Sequence, residues 1–325
     1  MAFYSAKFNW LKFFGLFMMI MPMFFMLSSE DKYVWWFSME INMMGFIFVM
    51  GDMDRESTYW SGIFYFLLQS FFGLLMVGMF IYCDKTDDYE NMGTLLILIL
   101  LSKMGMFPVF QIVPDLIEGM SWFGAMMFFS LQKVMPLFML MTLQWDFVYF
   151  VLVFSMLWGL VWMLHQVSLR KFLYFSSMVH IGWMYVAMDT SMTQWFIYLV
   201  AYMLSLLVFL SWQNLDSIHQ FKYSSLTANI KQIVSMINLS GLPPFLGFLT
   251  KFYIVVSVNY SSLIILALML MISVFSAYAY LTYVLIIYFL KREKFNKNYF
   301  SFNLEKSFLI IILGFSMFML FLMIF

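Results

Sequence analysis

From Trp10 onward the sequence is a succession of apolar runs of about twenty residues, separated by short polar connections. A run of that length suits an α-helix crossing a hydrocarbon core about 30 Å thick, and it is longer than a barrel strand needs. In lipid the backbone must satisfy its own hydrogen bonds, which a helix does within one segment. Composition closes off the soluble alternative. The chain is 64% hydrophobic and 10% charged, where a soluble domain carries about 25% charged residues. The expectation is an all-α polytopic membrane protein.

Eleven spans are read, at Trp10–Leu27, Tyr33–Met50, Trp60–Tyr82, Met92–Ile112, Ser121–Leu143, Phe147–Leu164, Phe172–Met188, Thr193–Trp212, Ala228–Ser257, Ser262–Leu290 and Ser307–Phe325. The first follows MAFYSAKFNWLK without a small-residue cleavage site, so it reads as a span rather than a signal peptide. Loop cations orient the bundle. Lys7, Lys12, Arg55, Arg170, Lys171, Lys222, Lys231, Lys291, Arg292, Lys294, Lys297 and Lys306 fall on the N-terminal side, against Lys32 and Lys85 on the other. The N-terminus is therefore expected on the positive-inside face, and Phe325 opposite it.

Two spans are interrupted. The fourth carries Pro108, and the ninth carries SGLPPFLGF with Gly241, Pro243, Pro244 and Gly247. Proline removes a backbone donor and clashes with the preceding turn, so both are expected to be broken helices. Breaks at matching places in two halves point to inverted repeats around an ion pathway. The chain then reads as one membrane domain over 1–325. It holds a five-helix repeat over 1–143, a second over 144–290, and a loop with a C-terminal helix over 291–325.

Ionisable residues inside the spans are few. Lys103 and Lys133 lie near the middle of spans four and five, Glu40 is central in span two, Lys251 follows the break in span nine, and His180 lies in span seven. A charge at that depth costs roughly 2.5–3.5 kcal/mol on insertion scales, so it needs a partner, a wet cavity or a task. Burial disfavours an ammonium and a nearby carboxylate restores it, which makes a Glu40–Lys103 pair a tunable proton holder. His180 titrates near neutrality and suits a relay. The plainer alternatives are a static buried pair or a snorkelling side chain for Lys103 and Lys133, a packing hydrogen bond for Glu40 and His180, and snorkelling for Lys251. His165 and Glu118 sit near loops, where a plain loop role is expected.

Other chemistries lack their residues. Cys83 is the single cysteine, which excludes an internal disulfide and cysteine-based zinc or iron–sulfur sites. No P-loop or dinucleotide fingerprint is present. The formal net charge of zero gives no reason to expect nucleic acid. The excess of Phe, Met and Tyr points toward an organelle gene.

Several stretches together resemble a known family. They are MEINMMGF around Glu40, YFLLQS at Tyr65–Ser70, LLSKMGMFPVF at Leu100–Phe110 and PDLIEGMSW at Pro114–Trp122. They continue with LQKVMPLF around Lys133, HQVSLRKFLYFSSMVHIGWM at His165–Met184 and NLSGLPPFLGFLTKFYIV at Asn238–Val255. The chain resembles the chain 2 subunits of mitochondrial NADH:ubiquinone oxidoreductase, which are antiporter-like subunits of respiratory complex I. The likeness runs from span two to span nine, and the region from about Leu290 matches little. It implies two inverted five-helix repeats and the shortened animal form without three N-terminal helices. It also implies proton carriage along buried polar residues. Glu40 and Lys103 match the family's carboxylate–lysine pair, Lys133 its central relay lysine, His180 a connecting histidine and Lys251 the outlet lysine. His165 stands where the family often has Asn.

The resemblance further implies a place in the mitochondrial inner membrane with the N-terminus in the matrix and the C-terminus in the intermembrane space. Its partners would be other membrane-arm subunits, chains 4L and 4 among them, with accessory subunits and phospholipids including cardiolipin. FMN, iron–sulfur clusters and ubiquinone would belong to the complex as a whole and none to this chain. Two rivals stay open: a stand-alone or Mrp/hydrogenase-type cation/proton antiporter subunit, and a channel-silent structural subunit.

Overall fold

The computed structural model describes residues 10–50, 56–86, 89–143, 146–211, 226–243, 245–258 and 263–292. Among these residues the chain is helical, with no strand. The helices are α1 (Trp10–Ser28), α2 (Lys32–Val49), α3 (Glu56–Thr86), α4 (Tyr89–Lys103), α5 (Val113–Gly119), α6 (Trp122–Phe129), α7 (Leu131–Leu143), α8 (Asp146–His165), α9 (Leu169–Thr190), α10 (Met192–Ser211), α11 (Leu226–Ser240), α12 (Leu246–Ser257) and α13 (Leu263–Arg292).

Among the described residues six stretches are long and apolar enough to cross a membrane: Trp10–Ser28, Glu56–Lys85, Trp122–Leu143, Phe147–His165, Met192–Ser211 and Ile265–Leu285. The helices α2 and α9 have the length but carry more polar side chains, Glu40 and Asn42 in one, Arg170, Lys171 and His180 in the other. The eleventh expected span, Ser307–Phe325, lies outside the described residues, as do Lys7, Arg55, Lys222, Pro244, Lys294, Lys297, Lys306 and His219.

Three expected spans are divided. In the fourth, α4 ends at Lys103, five positions before the proline that predicts the break. Gly105 takes φ +78° just past the helix end, and its amide donates to the Ser102 carbonyl at 2.9 Å. The chain therefore turns at the glycine, as a left-handed residue beyond a helix C-terminus commonly does. The ninth span divides as its Gly–Pro content predicts, into α11 and α12, with Gly241 at φ +77°. The fifth, a continuous apolar run over Ser121–Leu143 in the sequence, divides at Ser130 into α6 and α7. The Ser130 hydroxyl donates to the Met126 carbonyl at 2.8 Å. Such back-bonding to the i−4 carbonyl bends helices.

The chain forms two compact units, Met1–Ser155 and Met156–Phe325, whose boundary falls inside α8. In the first, α1 packs on α2 through Gly15 and Gly45. A Cβ on Gly15 would stand 2.8 Å from the Gly45 carbonyl oxygen. Lipid is as apolar as a leucine side chain, so helices in it associate through close packing of small residues rather than through hydrophobic burial. The N-terminus of α6 is tied to the end of α2, where the Ser121 amide and hydroxyl both donate to the Met50 carbonyl, at 3.0 and 2.6 Å. At the opposite end of α2, Lys32 and Tyr33 both bond Asp84 of α3. These two ties fix both ends of α2, the helix that carries Glu40, against its neighbours. In the second unit α9 is the central element, buried without interruption from Phe172 to Met188. Tyr283 of α13 donates to the Val167 carbonyl at 2.9 Å, and its ring stacks on Phe172 of α9.

Candidate functional site: buried polar clusters in the two units

The first cluster is built on the face that α2, α3, α4 and α7 share. Lys103 is the last residue of α4, and its Nζ lies 2.8 Å from Glu40 Oε1 on α2. The lysine side chain is 5% exposed and the carboxylate 20%. Apolar positions Leu100, Leu101 and Met104 surround the lysine's helix end and are buried. The carboxylate lies against the backbone of α3 at Gly73, where a Cβ would collide with it. Trp36, one turn before Glu40, donates its indole N–H to the Gly73 carbonyl at 3.1 Å. Gln69, one turn before Gly73, donates to the Lys103 carbonyl at 2.9 Å.

Lys133 sits in the first turn of α7, directly after the Ser130 break, and is 1% exposed. Its Nζ lies 5.9 Å from the centre of the Phe128 ring and 6.0 Å from that of Phe129, at the outer edge of cation–π attraction. Its neighbour Gln132 closes a buried chain of hydrogen bonds. Tyr65 donates to Gln132 Oε1 at 3.3 Å, and Gln132 Nε2 donates to Asn42 Oδ1 at 2.8 Å. Asn42 Nδ2 contacts Met135 Sδ at 2.9 Å. Buried polar groups are costly when unmet and rigid when met. This lattice therefore fixes the base of α7 from which Lys133 projects.

The second cluster surrounds His180. Its Nδ1 lies 2.8 Å from the Tyr198 hydroxyl of α10, and its ring lies 4.6 Å from that of Tyr202. A small cavity adjoins it, lined by His180, Tyr198, Ala201, Tyr202, Ser205, Asn238, Leu239, Gly247 and Thr250. Asn238 is buried, and its Oδ1 has no hydrogen-bond partner among the described residues. The cavity's lining is more apolar than polar, and Asn238 contributes an unmet acceptor to it.

Lys251 is buried on α12, with its Nζ 3.4 Å from the carbonyl oxygen of Ser240, the last residue of α11. The left-handed Gly241 makes room for it, because a Cβ there would come within 2.9 Å of the lysine nitrogen. A helix C-terminus carries the negative end of the helix dipole. The end of α11 thus supplies a negative pole where the first unit supplies a carboxylate.

Each of the five candidates is thus buried or part-buried, with Glu40 and Lys103 in direct contact. His165 is exposed at the end of α8. Reading the sequence did not single out Gln69, Gly73, Tyr65, Gln132, Asn42, Tyr198 or Asn238. The quoted motifs carry five of these residues, Asn42, Tyr65, Gln69, Gln132 and Asn238, without a role, and Gly73 and Tyr198 lie outside them. Among the described residues no group of three His, Cys, Asp or Glu side chains could hold a metal ion.

Comparison with known proteins is consistent over most of the chain. The transmembrane family described as NADH:quinone oxidoreductase/Mrp antiporter matches residues 29–277. NADH-ubiquinone oxidoreductase chain 2 of Anopheles gambiae is 32% identical over 298 residues, covering 86% of each chain. The protein of the same name from Aedes aegypti is 32% identical over 283 residues, covering 82% of this chain and 83% of its own. Among solved structures, a chain of respiratory complex I from Thermus thermophilus superposes with a TM-score of 0.66 at 18% identity, over 86% of this chain and 71% of that one. A chain of the archaeal membrane-bound sulfane sulfur reductase reaches 0.70 at 14% identity, over 95% of this chain and 72% of that one. At those identities the two structures show a shared fold.

Proposed function

This chain belongs to the NADH:quinone oxidoreductase/Mrp antiporter transmembrane family, within its NADH-ubiquinone oxidoreductase chain 2 members, and from that premise we propose that its buried polar clusters handle the protons this kind of subunit moves. The chain is a multi-pass membrane-arm subunit of complex I and takes part in proton translocation coupled to electron transfer from NADH to ubiquinone. In the first unit Glu40, Lys103 and Lys133 are the proposed proton-holding groups, and in the second His180 and Lys251. The observation that carries this reading is the 2.8 Å Glu40–Lys103 pair at a helix break, buried within a membrane-spanning bundle.

The mechanism follows from the pair's surroundings. A carboxylate beside the lysine holds its ammonium, and separating the two releases the proton to a neighbouring acceptor. Lys103 ends its helix and Gln69 grips the same residue's carbonyl, so a small shift of α4 against α2 alters the Nζ–Oε1 distance directly. Driving a charge across the membrane costs about 2.3 kcal/mol per 100 mV. That lies within the reach of one buried ion pair made or broken.

The finer architecture proposed is eleven spans. They form two inverted five-helix repeats over 1–143 and 144–290, with a C-terminal helix after them. The proposed location is the mitochondrial inner membrane, on the likeness to the chain 2 relatives, with the N-terminus in the matrix and the C-terminus in the intermembrane space on the strength of the loop cations. Proposed neighbours are chains 4L and 4, accessory subunits and cardiolipin. Flavin, iron–sulfur and quinone chemistry are assigned to other subunits.

Lys133→Met tests the relay. In complex I reconstituted into proteoliposomes, the variant is expected to keep assembly and to lower protons pumped per NADH. Undiminished pumping removes Lys133 from the path, and loss of the assembled complex assigns it to structure instead.

A further inference from the structure

One face of α3 touches the ion pair without contributing a charge. Gln69 and Gly73 are four residues apart on it, so they share a side of the helix. At Gly73 an ideal Cβ would overlap Glu40 Oε1 and stand 2.9 Å from the carboxyl carbon and 3.3 Å from the other oxygen. The atoms in its way are the free end of a flexible side chain, so an added methyl group would displace the carboxylate rather than the helix. The displaced group is the one that meets Lys103 Nζ at 2.8 Å. Trp36 holds α2 to the Gly73 carbonyl at 3.1 Å, so the carboxylate's stem does not back away by a shift of α2. Gln69, 5% exposed, fixes the other partner by donating to the Lys103 carbonyl at 2.9 Å.

We infer that Gly73 and Gln69 are positioning residues of the Glu40–Lys103 pair, Gly73 as the seat of the carboxylate and Gln69 as the clamp on the lysine's backbone. The inference rests on the relay reading above. At Gly62 and Gly78 of the same helix a Cβ would meet nothing within 4 Å.

The test is the pH profile of proton pumping per NADH in reconstituted complex I, with Gly73→Ala, Gln69→Leu and Glu40→Gln measured side by side. Gly73→Ala is expected to assemble normally, since alanine favours the helix, and to move the profile toward that of Glu40→Gln by about half or more of the difference. Gln69→Leu is expected to move it the same way by less. A Gly73→Ala complex that assembles and keeps the wild-type profile, while Glu40→Gln departs from it, overturns the inference and leaves the relay reading standing. A wild-type profile in Glu40→Gln overturns the relay reading and the inference with it. Should Gly73→Ala not assemble, Gln69→Leu decides, and its unchanged profile overturns the inference.

Discussion

The two units solve the same problem in opposite ways. Each places a lysine beside a helix break turned by a left-handed glycine, Gly105 at φ +78° and Gly241 at φ +77°. In the first unit the lysine precedes the glycine, ends its own helix and faces a carboxylate 2.8 Å away. In the second the lysine follows the glycine and turns back to the last carbonyl of the preceding helix at 3.4 Å. A side-chain anion can be moved or protonated. A helix terminus is a fixed partial charge built into the backbone. The first arrangement is suited to switching and the second to holding a lysine in one place.

Breaking the first pair should have the largest effect. Glu40→Leu deprives the buried Lys103 of its carboxylate, a loss of about 3–5 kcal/mol while the lysine keeps its charge and a smaller one once it gives up its proton. The expected outcome is a sharp fall in assembled complex on native gels. The double change Glu40→Leu with Lys103→Leu should restore assembly without restoring pumping, because a buried pair replaced by apolar residues is often neutral. If the double variant assembles no better than the single one, the damage lies in packing and not in the orphaned charge.

Next in size is Gly241→Ala. It forces a side chain into the left-handed region, at about 1–2 kcal/mol, and crowds the Lys251 nitrogen. A lowered melting temperature of the purified complex is expected, together with weaker pumping. Unchanged pumping at full assembly would separate Lys251 from the seat and break the parallel between the two units. The smallest effect belongs to Tyr198→Phe. It removes one buried hydrogen bond from His180, about 1 kcal/mol, and should leave assembly intact while altering how pumping depends on pH near neutrality. A profile identical to wild type would leave His180 a packing residue.

How much of this was legible beforehand varies by residue, for physical reasons. The Glu40–Lys103 pair was expected because a charge in lipid demands a partner and the spans offer few acids. Pro243 marked the second break correctly. Pro108 marked the first one five residues late, because the turn is made by Gly105 and the proline follows it. The break at Ser130 has no proline or glycine at its own position: Pro136 stands six residues further on, inside α7, where it leaves the Gln132 carbonyl without a helical donor, and the Ser130 hydroxyl bonds back to the Met126 carbonyl. Amides such as Gln69, Gln132 and Asn42 gave no signal either, since a neutral polar side chain in a span does not say which helix it will bond.

By itself the sequence determined that this chain is helical, that it crosses a membrane many times, and which of its apolar segments carry an ionisable residue. Those are properties of one segment at a time, set by run length, polarity and the cost of an unpaired group in lipid. Only the tertiary structure decided that Glu40 rests on Gly73, that Gln69 grips Lys103, and that the end of α11 stands in for an acid beside Lys251. Each of these depends on the rotation and separation of helices distant in sequence. A difference of one ångström between them is the difference between an ion pair and a collision.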